Sequence, residues 1–231
     1  MHYMHQLKID KQALELNEWA NLLKDGELSH KLIWRAFGDV PDRDRDFIFR
    51  MDAQPDSLTF LAVSVREPDS WGGRFEVQSK PYSGQVRVGQ RLRFRIRTSP
   101  SISVKSRPGA KRGTRHDIVS HAKKVAQETG SDRFKDMSQA QIVQEVGQAW
   151  LKEKLAREGF DVQDVLVQSY AQANFGKKSK KDTRRHDVRF GSMDFSGIFE
   201  VTDVDKARNA LLEGIGRKRA YGHGLILVSP T

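Results

Sequence analysis

The clearest candidates for chemistry lie near the C-terminus, in a run of glycines and cations. Residues 214–224 hold glycine at four of eleven positions, and three consecutive basic residues lie between the glycines. Glycine allows a backbone to come close to a ligand, and neighbouring amides can form a concavity that binds an anion. The pattern predicts a loop that contacts phosphate groups, and a plain glycine turn is the alternative. The contacting positions would be Gly214, Gly216, Arg217, Lys218, Arg219, Gly222 and Gly224.

Two familiar nucleotide-binding loops are excluded for this run. The sequence contains no GxxxxGK[ST] motif, and the glycines do not lie between a strand and a following helix, as a dinucleotide-binding fingerprint requires. Tyr221, which lies within the run, could stack on a nucleic-acid base or fill the core. The loop therefore predicts contact with a nucleic acid more readily than with a mononucleotide.

His30 is the candidate for proton transfer. It lies at the edge of an apolar stripe whose members, Leu32, Ile33, Ala36 and Phe37, recur at helical spacing. An imidazole suits acid–base chemistry because its ordinary pKa is about 6.5. From the residues alone, a structural histidine is the commoner case at such a position. The other histidines have no HExxH or cysteine context, so we expect no metal site.

Three basic segments could contact a polyanion. Residues 91–98 alternate arginine with apolar residues, which predicts a strand with one apolar face and one arginine face. Residues 99–114 and 174–185 are loops rich in glycine, serine, lysine and arginine. Solvated surface is the alternative for all three. The predicted RNA contacts are Arg91, Arg93, Arg95, Arg97, Lys105, Arg107, Lys111, Arg112, Arg115, Lys177, Lys178, Lys180, Lys181, Arg184 and Arg185.

The composition favours a polyanionic partner (RNA, DNA or an anionic membrane surface) and excludes several other classes of protein. The 231 residues carry a formal net charge of +10, and 37% are hydrophobic, as in ordinary globular proteins. No apolar run is long enough to span a membrane, and the N-terminus lacks the apolar core of a secretory signal. Because cysteine is absent, disulfides and a cysteine nucleophile are excluded. We expect a cytoplasmic protein with no cofactor and no membrane partner.

The elements that must position these residues are strands and helices in mixed order. For the first half, the periodicity predicts strands over 4–10, 47–51, 58–65, 74–79 and 91–98, and helices over 11–24 and 28–37. For the second half, it predicts helices over 116–129, 138–158 and 203–213, strands over 162–171 and 225–228, and a hairpin turning at 191–194.

This order predicts an α+β fold with two tandem ferredoxin-like (RRM-like) domains, because each half resembles a split β-α-β unit. Residues 1–100 would form the first domain, which contains the histidine. Residues 101–115 would form a basic linker, and residues 116–231 the second domain with its glycine-rich loop.

Four segments resemble a known family of RNA-processing proteins. The run GIGRKRAYGHGLI at 214–226 is similar to the glycine-rich loop of the repeat-associated RNA-processing superfamily. SHKLIWRAF at 29–37, RDFIFR at 45–50 and GQRLRFRIRTSP at 89–100 resemble motifs of its CRISPR-associated endoribonuclease branch, the CasE family of the type I-E Cascade. The resemblance is collinear over nearly the whole chain.

The resemblance implies an endoribonuclease that cleaves precursor CRISPR RNA within a repeat hairpin. It implies a metal-free attack by a ribose 2′-hydroxyl, which leaves a 2′,3′-cyclic phosphate, and retention of the mature crRNA alongside other Cascade subunits. His30 matches the catalytic histidine of the family. Tyr3 and Lys31 are the candidates for a second acid–base group. Some members carry a tyrosine one helical turn before the histidine, where this chain has Glu27.

Two other functions stay open at this point. A non-catalytic subunit of the same fold would bind the RNA hairpin without cutting it. An RNA-binding protein of the ribosomal kind would not prefer a repeat hairpin over bulk RNA.

Overall fold

The computed structural model describes residues 1–15, 19, 26–38, 46–105, 113–178 and 185–231, with side chains for all of these except 26–29, 174–178 and 185–189. Of the helix predicted over 11–24, the described part contains a short 3-10 turn at Lys11–Ala13 and the buried Trp19. Residues 16–18 and 20–25 of that prediction lie outside the described residues.

The first half of the chain forms a four-stranded antiparallel sheet that carries a helix. Its elements are β1 (His2–Asp10), α1 (Gly26–Ala36), β2 (Phe47–Ala53), β3 (Ser57–Ser64) and β4 (Glu76–Tyr82). The strand order is β2-β3-β1-β4. Each neighbouring pair is antiparallel, with Leu7 of β1, for example, between Phe60 of β3 and Val77 of β4.

The second half builds a second four-stranded sheet and a separate strand pair. Its strands are β5 (Arg91–Thr98), β6 (Ser101–Val104), β7 (Thr114–Asp117), β8 (Phe160–Lys178), β9 (Arg185–Val201) and β10 (Ile226–Pro230). Its helices are α2 (Ile118–Glu128), α3 (Gln139–Arg157) and α4 (Val204–Glu213). The sheet order is β10-β5-β9-β8, while β6 pairs with β7.

Both four-stranded sheets have the same topology. When the four strands of each sheet are numbered in chain order, both sheets run fourth, first, third, second. This is the order of two interleaved β-α-β units, the ferredoxin-like arrangement. The predicted α+β fold with two tandem ferredoxin-like domains is confirmed.

Strand β5 corrects the domain boundary that the sequence predicts at residue 100. Phe94 of β5 lies opposite Gly197 of β9 and Val228 of β10, so the strand belongs to the second sheet. The sequence suggests otherwise because β5 precedes the basic segment and follows the other N-terminal strands. The change from one sheet to the next falls between Tyr82 and Arg91.

The predicted basic linker and the predicted hairpin also differ from the structure. The segment predicted as a linker contains strand β6 and the start of β7, which pair with each other; Ser101 lies opposite Asp117, and Val104 lies opposite Thr114. Residues 106–112 lie outside the described residues. Residues 191–194 do not turn, because β9 runs through them. The hairpin is instead β8–β9, which stays paired as far as Lys178 and Arg185.

Local sequence signals explain where the helices of the second half begin. The Ser138 side chain accepts a hydrogen bond from the Gln141 amide, and Gln141 bonds back to Ser138, which is a capping box at the start of α3. Asp203 accepts from the Lys206 amide at 3.1 Å and caps α4 in the same way. Within the described residues, none of the helices has the length and apolar character needed to cross a bilayer.

The apolar residues form two domain cores and a smaller cluster between them. Helix α1 buries Leu32, Ile33 and Ala36 against the first sheet, as its helical spacing predicts. The cluster between the halves includes Ile48 of β2 and Leu225, which lies just before β10. This packing of one half on the other brings α1 close to the C-terminal loop.

Candidate active site

His30 faces the C-terminal loop rather than open solvent. It is half-buried on α1, and its Nδ1 lies 2.6 Å from the carbonyl oxygen of Ala220. A carbonyl can only accept a hydrogen bond, so Nδ1 carries the proton. In the neutral imidazole the lone pair is then on Nε2, which is the nitrogen able to accept a proton.

The glycine-rich loop reaches His30 because two of its glycines allow very close packing. Gly214 has a positive φ of 68°, and a Cβ there would lie 1.9 Å from Cδ1 of Ile48. At Gly224, a Cβ would lie 2.2 Å from the carbonyl oxygen of Ile215. Only glycine permits both the backbone conformation and the contact. Gly214 therefore lets the loop pack on the first domain, and Gly224 lets the loop close on itself, while the anion-binding concavity stays a prediction.

A cavity of about 340 Å³ lies where the two halves meet. Its walls include His30 of α1, Phe49 and Met51 of β2, and Tyr221 and His223 of the C-terminal loop. Residues of β5, β8 and β9 complete the lining. The His30 and Tyr221 ring centroids are 5.9 Å apart, so an imidazole from one half and a phenol from the other line the same space.

His223 is a second, deeply buried imidazole of this cavity. Its Nδ1 lies 2.9 Å from the carbonyl oxygen of Tyr221, and its Nε2 lies 2.9 Å from the Ser192 hydroxyl. Nδ1 must donate to the carbonyl, so Nε2 accepts from Ser192. Burial lowers the pKa of His223 to about 4, and the side chain is neutral at neutral pH. The Phe190 ring packs against it at 5.2 Å.

An ion-pair network crosses from the first sheet to the second beside the cavity. Arg97 of β5 donates two hydrogen bonds of 3.0 Å to Asp194 of β9, and a third of 2.7 Å to the carbonyl of Met51 on β2. Arg50 of β2 lies 3.2 Å from Asp194 and 2.9 Å from Asp52. Burial opposes ionisation of Asp194, but Arg97 and then Arg50 outweigh it and lower the pKa of the carboxyl.

Of the three predicted catalytic residues, His30 is the one that lines this cavity among the described residues. Tyr3 stacks on His5, and His5 packs against Phe37, which lies about two helical turns beyond His30. The structure thus places Tyr3 at the far end of α1. Lys31 follows His30 directly and is exposed, on a different face of the helix.

The predicted arginine face exists, but acids on the neighbouring strand share it. Arg91, Arg93 and Arg95 are exposed and alternate with buried residues, as predicted. Residues directly opposite each other share a face of the sheet. Arg97 lies opposite Asp194 and Arg91 opposite Glu200, so part of the positive charge is compensated across the strands.

The predicted basic loops are described only in part. Lys105 and Arg115 are exposed on the β6–β7 pair. Lys177, Lys178 and Arg185 lie at the paired ends of β8 and β9. The predicted contacts that lie outside the described residues are Arg107, Lys111, Arg112, Lys180, Lys181 and Arg184.

The cations of the glycine-rich loop separate in the structure. Arg217 is exposed, whereas Arg219 donates to the carbonyl of Glu213 at 3.0 Å. Lys218 adopts a positive φ of 63°, and its Nζ lies 4.7 Å from the Phe190 ring centroid and 5.6 Å from that of Tyr221. Burial, and secondarily the charge of Arg217, lowers the pKa of Lys218. Lys218 is therefore the loop cation that lies beside Tyr221.

Comparison with known proteins agrees with this architecture. A family model described as "CRISPR associated protein" matches residues 2–230. The chain is a CasE-type member of that family. It is 25% identical over 206 residues to the CRISPR system Cascade subunit CasE of Escherichia coli K12, with 87% of this chain and 90% of that protein aligned.

Further members of the family are similar along most of their length. The CRISPR-associated endoribonuclease Cse3 of Thermus thermophilus is 27% identical over 183 residues, which cover 74% of this chain and 72% of Cse3. A solved structure of CRISPR endoribonuclease Cse3 bound to 19 nt RNA superposes with a TM-score of 0.70 and 21% identity, and covers 99% of this chain and all of the other. That likeness supports the family fold.

Sequence reasoning missed several residues of the site. Ser192 and Asp194 carry no motif of their own, and Ala220 contributes only a backbone carbonyl; each acts through a partner that is distant in the chain. His223 and Tyr221 fall inside the glycine-rich run and were visible there, but nothing in their spacing indicates that they approach His30.

Proposed function

We propose that this CasE-type chain is a metal-independent endoribonuclease that cleaves precursor CRISPR RNA within the repeat hairpin. It would keep the mature crRNA and act with other Cascade subunits. The second part is supported by a relative that is named a Cascade subunit. The family assignment supports the substrate class, since the related Cse3 proteins are named endoribonucleases.

The observation that carries the chemistry is the hydrogen bond from His30 Nδ1 to the Ala220 carbonyl. It orients the ring and selects the tautomer whose Nε2 can accept a proton, which is what a general base for a ribose 2′-hydroxyl requires. The 2′-oxygen forms a bond to phosphorus while the bond from phosphorus to the 5′-oxygen breaks. The products are a 2′,3′-cyclic phosphate and a 5′-hydroxyl.

The surface around the cavity can hold an RNA backbone without reading base edges. Arg91, Arg93 and Arg95 are exposed on one sheet face, and Arg217 is exposed on the C-terminal loop. Structured RNA is recognised largely through its shape and phosphates, which exposed cations can contact. The excess of 40 basic over 30 acidic residues has the sign that this partner needs.

A cleavage assay in EDTA tests this function. The substrate is an end-labelled hairpin RNA with the host's CRISPR repeat sequence, and the variants are His30→Ala and the matched control His121→Ala on α2. We expect one cut with a cyclic-phosphate end. His30→Ala should lower the single-turnover rate by roughly 10²–10⁴-fold with little change in RNA affinity, because the base is lost and the binding surface is not.

Other results of the same assay would point elsewhere. Normal cutting by His30→Ala would contradict the role of His30. Tight binding of the hairpin without any cut would favour the non-catalytic subunit. Equal affinity for the repeat hairpin and for bulk RNA would favour a general RNA-binding protein.

A further inference from the structure

The cleavage reaction needs a proton donor as well as a base. In the tautomer that Ala220 imposes, His30 Nε2 accepts a proton, so it is not the group that protonates the departing 5′-oxygen in the same step. A second group that is protonated at neutral pH must lie in the cavity. Among the described residues, the donor side chains that line it are Tyr221, His223, Ser192, Ser169 and Arg97.

Four of these five donors are unsuited to the task. His223 uses its one proton on the Tyr221 carbonyl, and Ser192 donates to His223. Arg97 is held by Asp194 and Met51, and a guanidinium does not release a proton in proteins. Ser169 bonds to the Asp194 carboxylate at 3.2 Å, and an aliphatic hydroxyl is a much poorer acid than a phenol.

Tyr221 has the right chemistry and the right position. Phenols titrate at about pH 10, so a tyrosine holds its proton at neutral pH and can still release it to an alkoxide. Its ring lies 5.9 Å from that of His30 and comes from the opposite half of the chain. The two rings therefore line the same cavity from different halves of the chain, so that one group can take the 2′ proton while the other gives a proton to the 5′-oxygen.

The surroundings of Tyr221 hold its ring in place. The Phe190 ring lies 5.9 Å away, and His223, which is bonded to Ser192, donates a hydrogen bond to the Tyr221 carbonyl. On another side, Lys218 Nζ lies 5.6 Å from the ring centroid.

We propose that Tyr221 is a catalytic residue, the general acid that protonates the 5′-oxygen as it leaves. This rests on the proposed RNA cleavage with His30 as base. As the bond between the 2′-oxygen and phosphorus forms, His30 Nε2 takes the 2′ proton. As the bond to the 5′-oxygen breaks, that oxygen takes the Tyr221 proton. Imidazolium and phenolate then return to their starting forms when a proton passes from one to the other through water.

A leaving-group substitution tests the assignment directly. Once the cut is mapped, two hairpin RNAs are compared in single-turnover cleavage, one normal and one with sulfur in place of the 5′-oxygen at the scissile phosphate. A thiolate leaves without a proton because thiols titrate at about 8.5, far below alcohols. Tyr221→Phe should slow the normal RNA by roughly 10²-fold or more and should cut the sulfur RNA at nearly the unmodified protein's rate.

The controls separate this proposal from the one on which it rests. Tyr82→Phe, which removes a hydroxyl outside the cavity, should leave both rates unchanged. His30→Ala should be slow on both RNAs, because loss of the base is not repaired by a better leaving group. If His30→Ala cuts normally, the proposed role of His30 as the base fails; if the unmodified protein cuts neither RNA, the proposed function fails.

Three outcomes would overturn the role of Tyr221 alone. Tyr221→Phe could cut the normal RNA within about twofold of the unmodified rate, which corresponds to a negligible change in the barrier. It could be equally slow on both RNAs, which would make the hydroxyl structural. Rescue of His30→Ala by sulfur would assign the acid to His30 instead.

Discussion

At the scale of single residues, two imidazoles of the same cavity are used in opposite ways. His30 is half-buried, and its Nδ1 donates a hydrogen bond to the Ala220 carbonyl. His223 is 3% exposed and bonds through both nitrogens to protein partners, Tyr221 and Ser192. The first is suited to chemistry and the second to holding the loop in place, and burial makes the difference.

The lowered pKa of His223 predicts that the protein loses stability in mild acid. The unfolded chain binds a proton near pH 6.5, whereas the folded chain does so only at about pH 4. Below pH 6.5 the unfolded state therefore holds more protons, and stability falls as pH falls through this window. The free energy of unfolding at pH 4 should be lower by about 3 kcal/mol than at neutral pH, given about 1.4 kcal/mol per pKa unit.

Urea unfolding of the unmodified protein and of His223→Leu at pH 7 and pH 5 measures this effect. The variant should lose stability less steeply between the two values. His5, which burial also shifts to a lower pKa, contributes with the same sign in both proteins and cancels in the comparison. Parallel pH dependence of the two proteins would contradict the assignment.

At the scale of elements, the site depends on a helix and a loop that meet from different domains. The apolar stripe of α1 seats it on the first sheet and sets the direction of His30. The C-terminal loop packs on β2 at Ile48 because Gly214 has no Cβ, and it closes on itself because Gly224 has none either. The glycines thus contribute to the site through packing.

Alanine substitution at matched glycines tests this role. Gly214 and Gly216 have similar positive φ values of 68° and 74°, but a Cβ at Gly216 would meet its nearest atom only at 3.5 Å. Gly214→Ala should therefore lower the free energy of unfolding by about 2 kcal/mol more than Gly216→Ala does, because overpacking adds to the backbone strain that both variants share. It should also lower the cleavage rate. Equal stability of the two variants in chemical denaturation would refute the packing argument.

At the scale of the whole molecule, the ion-pair network helps set how the two sheets face each other. Arg50 belongs to the first sheet and is only 4% exposed, while Asp194 and Arg97 belong to the second. Asp194 is the carboxylate that both arginines share. The cavity lies beside this network, so its shape depends on the same contacts.

Removal of the Asp194 charge should loosen the junction between the halves. Asp194→Asn leaves two partly or fully buried guanidinium groups with only Asp52 as a charged partner among the described residues, which should cost about 3 kcal/mol. Asp132→Asn is the control, because its ion pair with Lys135 is exposed and worth less than about 1 kcal/mol. Denaturation curves would show the difference. A loss at Asp194 no larger than that at Asp132 would mean that the network does not hold the halves together.

Much of the fold follows from spacing in the sequence. Strand β5 was predicted over its full length, since alternation of arginine with apolar residues has the period of a strand. Helix α1 follows from apolar residues at helical spacing, and the predicted helix over 138–158 matches α3 to within a residue at each end. Such patterns are local, because they arise from side chains a few positions apart.

Pairing between distant segments was harder to predict. The sequence placed β5 in the wrong half because adjacency in the chain says nothing about which sheet edge a strand joins. It also placed a turn at residues 191–194, because glycine and serine are common in turns, but Gly191 and Ser192 lie within a long strand. Gly191 is needed there because a Cβ would lie 2.2 Å from the Asp117 carboxylate.

The sequence by itself determined the family and the ferredoxin-like halves, and it predicted His30 as the catalytic histidine, because motifs and periodicity can be recognised along the chain. The tertiary structure decided what His30 touches. Its hydrogen-bond partner Ala220 lies 190 positions away, and Tyr221 joins it only because the two domains pack together. A proton-transfer site needs groups a few ångströms apart in space, and only folding of the whole chain sets such distances.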